Sequence, residues 1–523
     1  MVPENRFSWL RNLLVLLAIW EVAGRLQLVA SGALPAPSAI LIRLWADLAD
    51  YPLHIWSTIQ SAFLGFMIGN TVAVAAGVLF VISPLALRLA RGINIAIFAL
   101  PPIAIVPILI LTLSGMTPRI VLAALGCYFV TMTATVIGLT QTDARSIDVI
   151  RAYGGGSWQV MKHVQLRSAL PAILGGLRVA APNAVLGAIL AEFGGGGRWG
   201  LGTYLIGSLG RGDPARLWGI GLVATAIAGL AYAIFAIVGR HVIGASRAVT
   251  VPTSASPRTS GDWSGNPLKV AALAIASAAM PLLLWWLLLK ALDVPELIAK
   301  TPAGVFDYLF LADAAPRAQQ RLLAALMQTL PITAVGLFAG LAFAFALAIC
   351  SEIFPAVTRA LMPIALVTQT MPLVALTPLL VLLLGRGTAV TLWITISVTF
   401  FPSFVTIAQG LALVPRAALE VPRAYGATKM KELRLVAVPA SLPYLFAAMR
   451  LAVPRALLGV MIAEWLATGT GLGNLLNQSR GYLDYGMIWT VAAVSVLLSV
   501  VFYQIVVLAE RWLLTSLGMR TSE

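Results

Sequence analysis

Nine stretches of the chain run about 20 residues or more without a charge: 61–82, 92–118, 120–142, 218–239, 270–289, 322–351, 360–385, 387–415 and 485–509. Each is long enough to cross a hydrocarbon layer about 30 Å thick as a helix. Three further apolar runs contain charge. Residues 10–28 hold Arg11, Glu21 and Arg25; 173–193 hold Arg178 and Glu192; 445–466 hold Arg450, Arg455 and Glu464. The pattern therefore predicts twelve helices. Arg6 and Arg11 ahead of the first run have the look of a signal peptide. The run continues past Glu21, which can pair with Arg25 one turn on, so a retained first helix is the reading. The third helix of each half carries prolines, Pro101, Pro102 and Pro107, then Pro372 and Pro378. They are expected to free carbonyls and bend it.

Composition narrows the class. Hydrophobic residues make up 60% and charged residues 11%, against about 25% charged in an average soluble domain. That excludes a soluble globular enzyme and a disordered chain, and leaves an all-α polytopic membrane protein. Cys127, Cys350, His54, His163 and His241 are too scattered for a metal site or a disulfide framework, so no metal and no cofactor is expected. The net charge of +15 would suggest nucleic acid in a soluble protein. With the N-terminus placed in the cytoplasm, most Lys and Arg fall on the cytoplasmic side, while acidic residues divide almost evenly. The charge is then the positive-inside bias of a membrane protein, with both termini cytoplasmic and no nucleic-acid partner.

The chain also repeats itself. Asp148-Val-Ile-Arg-Ala-Tyr-Gly154 recurs as Glu420-Val-Pro-Arg-Ala-Tyr-Gly426, 272 residues on. Leu170-Pro171 recurs at the same offset as Leu442-Pro443, Arg178-Val-Ala-Ala-Pro182 as Arg450-Leu-Ala-Val-Pro454, and Ala191-Glu192 as Ala463-Glu464. Gly200-Leu-Gly202 recurs as Gly471-Leu-Gly473 after one deletion. Matches at one offset identify a tandem duplication. Residues 1–243 form one six-helix unit and 268–523 the other. An even number of helices makes the copies parallel in the membrane. Residues 244–267, rich in Ser, Pro and Gly, read as a cytoplasmic linker.

The repeated segments 143–177 and 415–449 are the long cytoplasmic loops of the two halves. Each reads as a short helix, a glycine turn, a second amphipathic helix and a Leu-Pro break. The acidic residue can pair with the arginine three positions on, Asp148 with Arg151 and Glu420 with Arg423. Gly154 and Gly426 can end the short helix in a left-handed conformation. Pro171 and Pro443 are expected to stop or bend the second helix. The three glycines 154–156 should loosen the first turn.

This pattern of acidic residue, Arg-Ala-Tyr-Gly and, seventeen residues later, Leu-Pro resembles the EAA loop of binding-protein-dependent ABC importer permeases. The Ala-Glu and Gly-Leu-Gly motifs, and Leu34-Pro-Ala-Pro-Ser-Ala-Ile40 with a worn echo at Thr301-Pro-Ala-Gly-Val305, look like the nitrate, sulfonate and taurine branch. The Ala-Ala that opens the family's motif is Val149-Ile150 in one copy and Val421-Pro422 in the other. The resemblance implies the type I importer permease fold. It also implies an inner-membrane location, a periplasmic binding protein that delivers a small solute, and loops that dock on ABC ATPase subunits. It implies further that the fusion stands in for a permease dimer. No Gly-x-x-x-x-Gly-Lys-Ser/Thr run occurs, so two nucleotide-binding domains would come from another subunit and the chain itself would be no enzyme.

Charges within spans are the remaining candidates, as a pathway through the membrane. Arg178 and Glu192, fourteen residues apart, fall within about 40° of one helical face, about 21 Å apart along it. Arg450 and Glu464 repeat this. Either pair could instead be interfacial anchors, the arginines snorkelling. Arg455 lies deeper, and its repeat partner is Asn183. It either faces a pore, where it would attract an anion, or is neutralised by a neighbouring helix or the interface. A twelve-helix secondary transporter with parallel repeats is the alternative, but mid-helix ion-coupling carboxylates are missing. An embedded enzyme would need a nucleophile–base pair or paired carboxylates, and none stands out.

Overall fold

With no water in a bilayer to meet backbone N–H and C=O groups, apolar runs of this kind must satisfy them internally, as helices. The computed structural model describes residues 8–28, 32–195, 197–243, 267–354 and 373–518, and these are helical with no strand. The first half comprises α1 (Ser8–Arg25), α2 (Pro37–Ala46), α3 (Tyr51–Ile82), α4 (Pro84–Ala99), α5 (Pro102–Thr112) and α6 (Thr117–Thr140). It continues with α7 (Ala144–Ala152), α8 (Ser157–Phe193), α9 (Leu201–Leu209) and α10 (Pro214–Ile243). The second half has α11 (Pro267–Ala291), α12 (Pro302–Leu311), α13 (Ala315–Ile353), α14 (Leu373–Leu384) and α15 (Thr388–Ala412). It ends with α16 (Arg416–Ala424), α17 (Lys429–Thr468), α18 (Gly471–Gly481) and α19 (Tyr485–Ser516).

Among the described residues nine helices are long and apolar enough to cross a bilayer, and the pair α4–α5 is a tenth candidate. The other two of the twelve predicted spans are the charged α1 and the run 360–385, most of whose first half lies outside the described residues. So do the linker up to residue 266 and Pro372. The predicted Glu21–Arg25 pair forms at 2.6 Å, and Glu21 also accepts from the Ser38 backbone N–H at 3.0 Å, tying α1 to α2.

Two expectations are corrected. The run 92–118 is not one bent helix but two helices at 99°. Pro101 and Pro102 supply no N–H, and Leu100 before them is extended (φ −69°, ψ 119°), so the ladder ends there. Conversely, Pro171 and Pro443 break nothing: α8 and α17 run straight through them. A five-residue π turn precedes each, Met161–Gln165 and Leu433–Ala437, at the same repeat offset. The second helix of each loop is therefore the leading end of the fifth span itself.

Within each half the fourth span is the hub: α6 packs on α3 and α8, and α15 on α13 and α17. Lipid removes the hydrophobic driving force between spans, so close backbone approach through small residues matters. Gly65 and Gly69 of α3 lie against Ala123 and Ala124 of α6; Gly336 and Gly340 of α13 lie against Thr395 and Thr399 of α15. The hydroxyls of Thr395, Thr399 and Ser403 donate to the carbonyl four residues back, at 2.8, 2.7 and 2.7 Å, and so leave no orphan donor in the seam.

The halves exchange contacts. α5 packs on α17, α18 and α19 of the second half, and α14 packs on α9 and α10 of the first. One apolar core runs through both, joining Ile103, Val106 and Ile189 to Leu379, Leu457 and Met461. α11 lies on α4, where the Gly92 N–H donates to Ser277 Oγ at 2.9 Å. A Cβ at Gly92 would sit 1.8 Å from the Ser277 carbonyl oxygen. Gly92→Ala is expected to prise α11 from α4 and to destabilise the detergent-solubilised protein by about 1–3 kcal/mol. Thermal unfolding checks this against Gly239→Ala, where a Cβ meets nothing within 4 Å.

Candidate functional site

Two surfaces carry the repeated motifs. The first is the pair of loop tips. α7 and α16 bury none of their residues. Each ends in the same double hydrogen bond. Gly155 N–H donates to Ile150 O and Gly154 N–H to Arg151 O, both at 2.9 Å. Ala427 N–H donates to Pro422 O and Gly426 N–H to Arg423 O, again at 2.9 Å. This Schellman closure requires a left-handed residue, and Gly154 and Gly426 supply it at φ +78° and +74°. The expected glycine termination thus holds in both copies. Directly before each glycine, Tyr153 and Tyr425 stand 88% and 89% exposed. They are the most exposed large apolar or aromatic side chains among the described residues.

The expected acidic–arginine pairs do not form. Arg423 reaches across the turn to Glu432 instead, Nε to Oε1 2.8 Å, while Glu420 stays exposed. The guanidinium pKa is raised by that hydrogen bond first and by the Glu432 charge second. Asp148 and Arg151 are both exposed and form no ion pair among the described residues. Neighbours on one turn of an exposed helix gain little from pairing, whereas the long Arg423 side chain spans the turn to a carboxylate that is itself buried.

The second surface is membrane-embedded. Glu192 is fully buried and Glu464 nearly so, at 3% exposure. Thr58 Oγ1 donates to Glu192 at 2.9 Å and Thr329 Oγ1 to Glu464 at 2.6 Å. The same hydroxyls accept from Leu201 N–H and Leu472 N–H, each at 2.9 Å. The carboxylates in turn accept from Gly202 N–H at 3.0 Å and Gly473 N–H at 2.9 Å. A threonine of the second span and a glutamate of the fifth thus cap the orphan N–H groups of the short helices α9 and α18. The Gly-Leu-Gly repeat now has a physical reason. A Cβ at Gly202 or Gly473 would lie 2.3 or 2.0 Å from a carbonyl oxygen of the fifth span.

The arginines predicted to share a face with these glutamates go elsewhere. Arg178 lies over the Tyr232 ring of α10 at 4.2 Å, and Arg450 forms an ion pair with Glu510 of α19. Asn183 donates to Gly126 O at 3.4 Å, facing α6. Arg455 is half-buried in α17 and has no hydrogen bond or ion pair among the described residues. Sequence reading missed Arg119, which it treated as the edge of a span. Arg119 is buried, donates to Ser57 Oγ at 2.7 Å and Trp199 O at 3.0 Å, and lies 3.7 Å from Glu192. It also missed the two threonines; each stands 143 residues before the Leu N–H that it accepts from, and only that common spacing hints at them.

The family described as the binding-protein-dependent transport system inner membrane component matches residues 58–246 and again 336–515. The chain belongs to this family. It is a permease component of binding-protein-dependent ABC transport, carried twice on one chain. The riboflavin transport system permease protein RibX of Chloroflexus aurantiacus is 32% identical over 30% of this chain and 58% of its own length. The formylaminopyrimidine transport permease protein ThiX of Halalkalibacterium halodurans is 32% identical over 30% of this chain and 62% of its own length. The putative aliphatic sulfonates transport permease protein SsuC of Bacillus subtilis is 31% identical over 36% of this chain and 71% of its own length. The chain thus spans about three-fifths of the length of the first two. Each match takes up about a third of this permease, as a fusion of two units requires.

The caps are testable as stability devices. Thr329→Val removes a donor from a buried carboxylate and an acceptor from Leu472 N–H. It is expected to lower stability by about 1–3 kcal/mol. Thr329→Ser, which keeps the hydroxyl, is expected to keep most of it; thermal melts of the two variants in detergent decide.

Proposed function

We propose that this permease is the complete membrane subunit of an ATP-driven importer in the bacterial inner membrane, with both termini cytoplasmic. Residues 1–243 and 268–523 would replace the two permease units of a dimer, joined by 244–267. A periplasmic binding protein delivers a small solute, and two ATPase domains on separate subunits bind the two loop tips. Docking uses the faces built on Asp148, Arg151 and Gly154 and on Glu420, Arg423 and Gly426.

The observation that carries this reading is the pair of bare tyrosines, Tyr153 and Tyr425, held on identical Schellman turns at the ends of α7 and α16. Each tip leads without a break through Pro171 or Pro443 into a fifth span of 37 or 40 residues. Movement imposed on a tip is then passed along one rigid helix to Glu192 or Glu464 and to the contact between halves. Asn183 and Arg455, on these same helices, are the residues we assign to the pathway. The relatives' names cover riboflavin, a formylaminopyrimidine and aliphatic sulfonates, which favours a small organic solute.

Gentle purification of the tagged protein from its native membrane is expected to bring down a stoichiometric ATPase with a phosphate-binding loop. Gly426→Asp, which places a Cβ at φ +74° and a negative charge at the turn, is expected to abolish that association. A protein that copurifies with no ATPase and transports alone on an ion gradient would overturn the proposal.

A further inference from the structure

We infer that the two coupling tips are unequal. The second, braced by the Arg423–Glu432 ion pair, is the principal docking element, and the groove that receives it is lined with acidic groups. This deepens the importer reading and rests on it.

The two tips share their turn, their tyrosine and their exposure, and differ in what holds and surrounds that turn. In the second tip the Arg423 Nε–Glu432 Oε1 contact of 2.8 Å clamps α16 to the first turn of α17. The position equivalent to Glu432 in the first tip is Val160, buried at 4% exposure, so Arg151 meets no carboxylate at that place across the turn. The first tip instead has Gly155-Gly156 after the shared glycine, stitched by one exposed bond, Gly156 N–H to Gln159 Oε1 at 2.9 Å. The second has Ala427-Thr428 there. Glycines lose more freedom when a partner fixes them, so the first tip must be ordered on docking, while the second is ordered beforehand.

The faces differ in charge too. Beside Tyr153 the helix begins Ser157-Trp158-Gln159, all exposed and neutral. Beside Tyr425 it begins Lys429-Met430-Lys431, all exposed. The Glu432 charge is taken up by Arg423, and the two ammonium groups form no ion pair among the described residues. The complementary surface is acidic.

The test uses the full chain with its ATPase in nanodiscs, reading ATPase affinity and substrate-stimulated turnover. Tyr425→Ala is expected to reduce both by about tenfold or more, and Tyr153→Ala by no more than about threefold, since pre-ordered contacts contribute more net affinity. Val160→Glu should give Arg151 the missing partner and raise affinity; adding Arg151→Ala should remove the gain, which a merely structural change at 160 would not do. Lys429→Glu with Lys431→Glu should weaken docking and flatten its salt dependence. Equal losses from the two tyrosine variants overturn the inequality and leave the importer reading standing. An unchanged affinity and salt response in the double lysine variant overturns the acidic groove. No loss from either tyrosine variant overturns the docking reading itself.

Discussion

A carboxylate with no water around it must be met by donors, and in each half that requirement closes the structure. Glu192 and Glu464 are met by a threonine of the second span and by the first N–H groups of a short helix. Helix ends need such acceptors as much as the carboxylates need the donors. The bond thus joins three elements that share no local sequence. The short helices so anchored, α9 and α18, are among the elements that touch α14 and α5 of the opposite half. Part of the contact between halves is thus anchored by two buried caps; a Cβ at Gly200 would lie 2.3 Å from the Glu192 carboxyl carbon, and one at Gly471 1.9 Å from Glu464 Oε1.

The other constraint is continuity. α17 runs from Lys429 beside the second tip to Thr468 beyond the Glu464 cap, 40 residues or about 60 Å of helix. That is about 30 Å more than a bilayer core needs. A π turn at Leu433–Ala437 lies next to the tip and recurs in α8 at Met161–Gln165. α17 has a second π turn at its far end, Glu464–Thr468, which starts at the capping glutamate. In the proposed importer, the continuous helix couples nucleotide-driven movement to the interface of the halves.

Duplication kept the parts that close backbone geometry and let side-chain charge drift. The Schellman turns, the π turns, the threonine–glutamate caps and the Gly-Leu-Gly approach are present twice. Arg119 accompanies only Glu192, and among the described residues Glu464 has no cation within 4 Å. Arg455 stands where the first half has Asn183, and Glu432 where it has Val160. A fused chain can differentiate its halves in this way, because each surface is encoded separately, whereas two copies of one subunit share every substitution.

Much of this was legible in the residues themselves. Nine of the spans, the duplication, the left-handed glycines and the Glu21–Arg25 pair all follow from periodicity or from contacts within a turn, where spacing decides which groups meet. The double proline announced a distortion near residue 101 but not a right-angled break, since its size depends on what α5 packs against. The proline in each fifth span promised a stop, yet the helix runs on through it. Arg423 chose Glu432 over the nearer Glu420, a choice between acceptors that only the path of the chain around Gly426 settles. The partners of Glu192 and Glu464 stand 134 and 135 residues away. Lipid dictates that such carboxylates be satisfied; which distant threonine satisfies them is decided by how the helices pack.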